Sequence, residues 1–323
     1  NMNTEKVIRV INGRGSQAAD ISELNDVSSL LIAGNTQPLY IDNFSVTRLD
    51  DEAAYAEPDL ADDLINTNFT KYVDFAFNTN VTSEGLTLGN AAWRGCAYTA
   101  LTDRGISMKL TEERQSEYST ATAKELTFSL PNSVTSGVYT TEAWVKPMGS
   151  AIPKFLVRLI GKYNTSDTNE DAVKTDTTGK VTAPSAAKDM TGQDLKLTSN
   201  AWNKIEVVYD MDHGRIYSFV NGYGVGSISW GATEFNSILI SAGAGGCDLY
   251  IDDLRVYNED RALYGAATPE GYIEYEDFTA MGTKVSNAGG ANVMDFNRMT
   301  FGNAAWRGSA YATKTDKGIS LCM

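Results

Sequence analysis

Of the residue types that carry chemistry, histidine is the scarcest here: His213 is the only one in 323 residues. It stands in Asp210-Met211-Asp212-His213-Gly214, which reads as a turn between two strands, and Thr4 takes its place in an earlier copy of the same stretch. Acyl transfer by a Ser-His-Asp or Cys-His arrangement needs an imidazole set on a nucleophile. A lone histidine in a turn supplies no such base. Aromatic residues offer more, because a flat ring stacks on the apolar face of a sugar while amides and carboxylates take its hydroxyls. In Thr141-Glu142-Ala143-Trp144-Val145-Lys146, strand alternation puts Trp144 on one face with Glu142 and Lys146, opposite Ala143 and Val145. A tryptophan on the polar face of a strand can line a groove, and Arg158 on the next strand is expected to face it. Trp144, Glu142 and Arg158 are therefore the candidate glycan contacts. The competing expectation is that this face is covered and Trp144 is core.

The elements that must hold these residues are short strands. Runs at 71–77, 105–110, 125–130, 138–146, 155–163, 202–209, 214–220, 237–241 and 249–257 are apolar or alternating and are separated by turn residues. Residues 164–193 are polar and poor in large apolar side chains, and read as an exposed excursion or hairpin insertion. Helical periodicity is absent except weakly around 53–64, where the acidic stretch 50–64 can hold a short helix. The expectation is an all-β protein with sheets packed face to face.

One stretch occurs twice. Gly89-Asn90-Ala91-Ala92-Trp93-Arg94-Gly95 returns as Gly302-Asn303-Ala304-Ala305-Trp306-Arg307-Gly308. The match continues through Thr102-Asp103 and Thr315-Asp316, then Gly105-Ile106-Ser107 and Gly318-Ile319-Ser320. Tyr40-Ile41-Asp42-Asn43 is echoed by Tyr250-Ile251-Asp252-Asp253, and Asn12-Gly13-Arg14-Gly15 by Asn221-Gly222-Tyr223-Gly224. Such self-similarity frames the chain as repeat units. Residues 1–52 are read as the C-terminal part of a first unit, 53–265 as a complete unit and 266–323 as the N-terminal part of a third. A unit of roughly 210 residues is large enough to bury its own core.

Apolar residues make up 42% of the chain, which fits a globular protein. The net charge of −14 argues against nucleic acid, whose phosphates need a basic patch, and against an anionic lipid surface. No run of about 20 apolar residues is present, so no transmembrane helix and no membrane insertion are expected. The cysteines are Cys96, Cys247 and Cys322, without a CxxC pair, which disfavours a thiolate zinc site. Cys96 and Cys247 either form a disulfide of the middle unit or are two buried thiols.

The last third of the middle unit carries Trp202-Asn203-Lys204-Ile205-Glu206-Val207-Val208-Tyr209-Asp210, a turn, then Tyr217-Ser218-Phe219-Val220-Asn221-Gly222. It closes with Tyr250-Ile251-Asp252-Asp253-Leu254-Arg255-Val256-Tyr257. This pattern resembles the laminin-G-like, concanavalin A-like jelly-roll domains. The resemblance implies a jelly-roll β-sandwich. It also implies a setting in large secreted or cell-surface bacterial proteins. Glycosidases in that family share a Glu-x-Asp-x-x-Glu strand, with the two carboxylates that retaining chemistry needs. The nearest stretch here is Glu274-Tyr275-Glu276-Asp277, and its counterpart Tyr72-Val73-Asp74-Phe75 keeps one carboxylate. No catalytic residue is therefore expected. The resemblance further implies a structural calcium between the first and last strands, with Asp74, Asp252 and Asp253 as its carboxylates. The expected function is non-catalytic, lectin-like binding of a glycan or polysaccharide. One alternative is a structural stalk, adhesin or self-assembling filament whose partners are neighbouring repeat units. Another is an accessory region of a polysaccharide-degrading enzyme.

Overall fold

The computed structural model describes residues 6–11, 14–20, 63–69, 72, 82–83, 85–88, 96–111, 124–149, 152, 154–184, 186–187, 189, 193–243, 248–260, 295–296, 299–300 and 311–322. β1 (Lys6–Ile11) and β2 (Arg14–Asp20) form a hairpin. β3 (Asp63–Thr67), β4 (Thr82–Ser83), β5 (Leu86–Thr87), β6 (Ala97–Thr102) and β7 (Gly105–Leu110) follow. Next come β8 (Lys124–Val134), β9 (Val138–Pro147), β10 (Phe155–Tyr163), β11 (Ser166–Thr175) and β12 (Val181–Ala183). The sandwich ends with β13 (Asn203–Asp210), β14 (Arg215–Val220), β15 (Tyr223–Ser229), β16 (Glu234–Ala242) and β17 (Leu249–Glu259). Two further hairpins pair β18 (Asp295–Phe296) with β19 (Met299–Thr300), and β20 (Tyr311–Thr315) with β21 (Gly318–Cys322).

The strands build two antiparallel sheets. The first runs β1-β2-β6-β7-β17-β9-β13-β14-β15, with β3 also on β17. The second runs β12-β11-β10-β16-β8-β5-β4. Alternation along each strand decides what they enclose. Ala143 and Val145 of β9, Ile205 and Val207 of β13, and Ile251 of β17 face inward from the first sheet. Phe128 of β8, Phe155 and Val157 of β10, and Ile240 of β16 meet them from the second, all in one buried cluster. Phe128 lies edge-on to Phe69 and Tyr72, each with ring centroids 6.0 Å away. The architecture is the all-β sandwich that the strand pattern predicts, of the jelly-roll kind that the resemblance implies.

Two local expectations are corrected. Residues 63–64, read as the end of an acidic helix, begin strand β3, which pairs with β17 through Ile65 opposite Val256. Asp63 is fixed there by Arg255, Nε to Oδ2 at 2.9 Å, so tertiary pairing overrides a weak helical tendency. Residues 164–193 do hold a hairpin, but it is part of the sandwich and not an excursion from it. Asn164 (φ 55) turns β10 into β11, and β11 and β12 extend the second sheet. Their inward residues, Ala172, Val173, Thr175 and Val181, are small and buried, so the stretch reads as polar although it adds to the core, while Ser166, Asp167 and Asn169 are exposed. Of the strand expected at 71–77, only Tyr72 is among the described residues, and it is core.

Candidate functional site

The outer face of the first sheet holds the site, and β17 creates it. One edge of β17 pairs with β9 along its length. The other edge changes neighbour, pairing with β7 at Leu249–Ile251 and with β3 from Leu254 onward. Asp252 and Asp253 fall at that change. Asp252 lies opposite Trp144 and Arg255 opposite Glu142, so three steps on β17 match two on β9. The extra residue is a bulge, with Asp253 in the left-handed region at φ 43, a conformation aspartate tolerates. A bulge re-aims side chains, and here it separates the roles of two adjacent carboxylates.

The β6–β7 turn supplies the rest. Thr102 Oγ1 accepts the Arg104 amide at 3.1 Å, and Gly105 at φ 105 closes the turn. That turn lays Asp103 and Arg104 over the sheet. The Arg104 guanidinium lies 4.6 Å from the centroid of the Trp144 ring and 5.5 Å from that of Trp202, and pairs with Asp253. Asp103 accepts hydrogen bonds from Trp202 Nε1 and from Lys146 Nζ, both at 3.0 Å. Those bonds, the indole's first and the lysine's next, hold its carboxyl below the usual aspartate value. Beside the cluster opens a hollow of about 580 Å³ lined by Leu101, Thr102, Asp103, Lys146, Met148 and Tyr250.

Asp252 lies beneath this cluster and is fully buried. Ser107 Oγ donates to its Oδ2 at 2.7 Å and the Asp253 amide to its Oδ1 at 2.8 Å. Burial dominates these bonds and pushes its carboxyl from 3.8 up to about 7. A carboxyl whose folded value is raised holds its proton while the unfolded chain loses its own. The stabilisation from neutral Asp252 is therefore complete below about pH 4 and is lost as the pH rises through about 7. Melting temperatures of Asp252→Asn across that window are expected to fall less steeply than those of the unaltered chain. Parallel curves would show that Asp252 does not titrate there.

The sequence candidates fare differently. Trp144 is half-buried on the outer face, while its neighbours Ala143 and Val145 are in the core, so the covered-core alternative for Trp144 does not hold. Glu142 shares that face but is engaged by Lys204, Nζ to Oε2 at 3.1 Å, and Lys204 also reaches Glu206 at 3.1 Å. Arg158 does not join them. β10 lies in the second sheet, where Arg158 Nε bonds Asp171 at 2.7 Å. Strands consecutive in sequence are not neighbours here, because the chain crosses to the other sheet between β9 and β10. Arg104, Asp103, Trp202 and Ser107 were missed. The available signal was the repeated turn, Thr102-Asp103 through Ser107, whose copy at 315–320 carries Lys317 where Arg104 stands.

Asp74, Cys247, Trp93, Trp306 and the 274–277 carboxylates lie outside the described residues. Cys96 is buried at the start of β6. The two described members of the expected calcium set, Asp252 and Asp253, are engaged by other partners. Calcium needs six to eight oxygens, whereas Asp253 is committed to a guanidinium and Asp252 to Ser107 and a backbone amide. Among the described residues no three acidic, histidine or cysteine side chains converge. Chelator is expected to leave the melting temperature unchanged. A fall in chelator, restored by calcium, would mean that residues beyond the described ones complete a site.

The fold and this face define an all-β jelly-roll domain with an aromatic, charged outer sheet. Residues 120–265 match the family model of the concanavalin A-like lectin/glucanases superfamily, in its laminin-G-like form. Similar solved structures include a cellulose-induced protein (TM-score 0.38, 12% identity, covering 60% of this chain and 97% of that one). A lectin from Bauhinia forficata in complex with GalNAc is also similar (TM-score 0.35, 11% identity, 57% and 97%). A sialidase gives a TM-score of 0.35 at 10% identity over 51% of this chain, which spans 16% of the sialidase. No curated protein matches the chain. Among the described residues no helix is long and apolar enough to cross a membrane.

Proposed function

We propose that the middle unit is a non-catalytic, lectin-like module that takes a glycan on the outer face of the first sheet, at the Trp144–Trp202–Arg104 cluster. One observation carries the reading. Two half-buried indoles, held by cations, stand beside a hollow whose rim offers the Asp103 carboxylate, the Lys146 ammonium and the Thr102 hydroxyl. Apolar rings beside charged hydrogen-bonding groups are what a pyranose needs, since its two faces are apolar and its edge is hydroxylated. The match of residues 120–265 to a lectin and glucanase superfamily model supports the class of ligand, though fold alone does not assign activity. The absence of an imidazole anywhere but the His213 turn supports a binding role over acyl-transfer chemistry.

Repetition supports a setting in a large secreted or surface-displayed bacterial protein, where several weak sites gain avidity. An accessory region of a polysaccharide-degrading enzyme is the same reading with a catalytic domain elsewhere. The deciding experiment is a glycan array probed with the full chain, followed by pull-down on the best polysaccharide. Retention of a defined glycan class is the expected result, and no retention on any glycan would remove the reading.

A further inference from the structure

The outer face of the first sheet carries a second feature, at the opposite end of β9 from Trp144. Val138 of β9, Val208 of β13, and Tyr217 and Phe219 of β14 point outward there, yet each is buried. Alternation would put polar residues at these positions, as it does at Lys204 and Glu206. What covers them is the hairpin β20–β21, through Ala312 and Ile319. At its rim the Tyr223 and Tyr311 rings lie 4.5 Å apart. Lys314 Nζ sits 2.8 Å from Glu259 Oε1 and 3.3 Å from the Tyr257 hydroxyl.

This hairpin is a copy of β6–β7 in sequence and in geometry. Thr102 Oγ1 and Ser107 Oγ lie 2.8 Å apart, and so do Thr315 Oγ1 and Ser320 Oγ. Thr102 Oγ1 accepts the Arg104 amide at 3.1 Å, and Thr315 Oγ1 the Lys317 amide at 3.2 Å. Gly105 and Gly318 close the two turns with positive φ. β14–β15 likewise has its counterpart in β1–β2, around the shared Asn-Gly turn. The counterparts also meet, because β2 pairs with β6 through Arg14 opposite Ala100. The same two kinds of hairpin therefore touch twice in one chain, once by backbone pairing and once by side-chain packing.

We infer that this contact is the recurring joint between consecutive units: the hairpin equivalent to β6–β7 docks on the β14–β15 hairpin of the unit before it. The occupant of the Val208–Phe219 patch is thus the next copy of the unit. Because the two surfaces are different, the contact is head-to-tail and can recur along a string of copies. Each unit then stabilises its neighbour, as in repeat proteins with nearest-neighbour coupling. The joint stands on repeat matching and contacts, independently of the glycan reading.

Hydrogen exchange on the full chain tests it. A two-stranded hairpin alone in water is marginal, so protection of amides in 311–322 reports docking. That protection is expected in the unaltered chain. Phe219→Ser in the patch and Ile319→Asp in the hairpin should each speed exchange of 311–322 on the order of 100-fold, while β9 and β13 keep theirs. Should Phe219→Ser loosen β13 as well, Tyr223→Ala at the rim takes its place. Unprotected 311–322 in the unaltered chain would overturn the joint. So would loss of protection with Ile319→Asp but not with the patch variant, since the hairpin would then be held by something else.

Discussion

A chain trimmed to residues 120–265, the span of the family match, is expected to be unfolded, while one spanning 53–265 should melt in a single cooperative transition. The reason lies in what the shorter chain lacks. Ile65, Phe69, Tyr72, Leu86, Met108 and Leu110 precede residue 120 and are buried in the common core. Each such side chain contributes about 1.5–3 kcal/mol on burial. Their joint loss is on the order of 10 kcal/mol, comparable with the whole stability of a domain. Trimming would also strip β3 and β7 from β17 and leave the edge of that central strand unpaired. Circular dichroism and calorimetry on the two chains decide the matter. A cooperative melt from 120–265 would show that the matched segment is self-sufficient, and an unfolded 53–265 would mean that the unit needs its neighbours' strands.

Trp144→Ala is expected to abolish retention on the bound polysaccharide while leaving the sandwich folded. An aromatic anchor at a binding site typically contributes 2 kcal/mol or more, so affinity should fall by about 30-fold at least. Stability should fall far less than the roughly 3–5 kcal/mol of a core aromatic, because the ring stands on the outer face with Arg104 against it. Phe128→Ala, which opens the packing with Phe69 and Tyr72, is the matched control for the core case. A thermal melt and a pull-down on each variant separate the two effects. Unchanged retention by Trp144→Ala would exclude this cluster as the sugar site, and a melt as damaged as that of Phe128→Ala would mean the indole is structural.

Much of the sandwich was legible because period-two alternation reports burial directly. Ala143 and Val145 inward, with Glu142, Trp144 and Lys146 outward, is a statement about one strand, and one strand's sequence settles it. Alternation misled where inward residues were small, as at Ala172, or where an outward patch is covered by another element. Val208 and Phe219 belong to the second case: nothing local explains an apolar residue on a polar face, and only the docked copy at 311–322 does. Arg158 failed for a different reason, since alternation says nothing about which sheet the next strand enters.

The sequence by itself determined the all-β class, the repeated motifs, the superfamily resemblance and the outward position of Trp144. Each of these depends on residue order over a few to a dozen positions. The tertiary structure decided the neighbours. It placed Arg104 between Trp144 and Trp202, joined Asp103 to Trp202 across 99 positions of chain, and buried Asp252 where β17 exchanges β7 for β3. Those contacts depend on strand order, register and a single bulge at Asp253. They are long-range choices among many pairings of similar local quality, and the shared core settles them collectively.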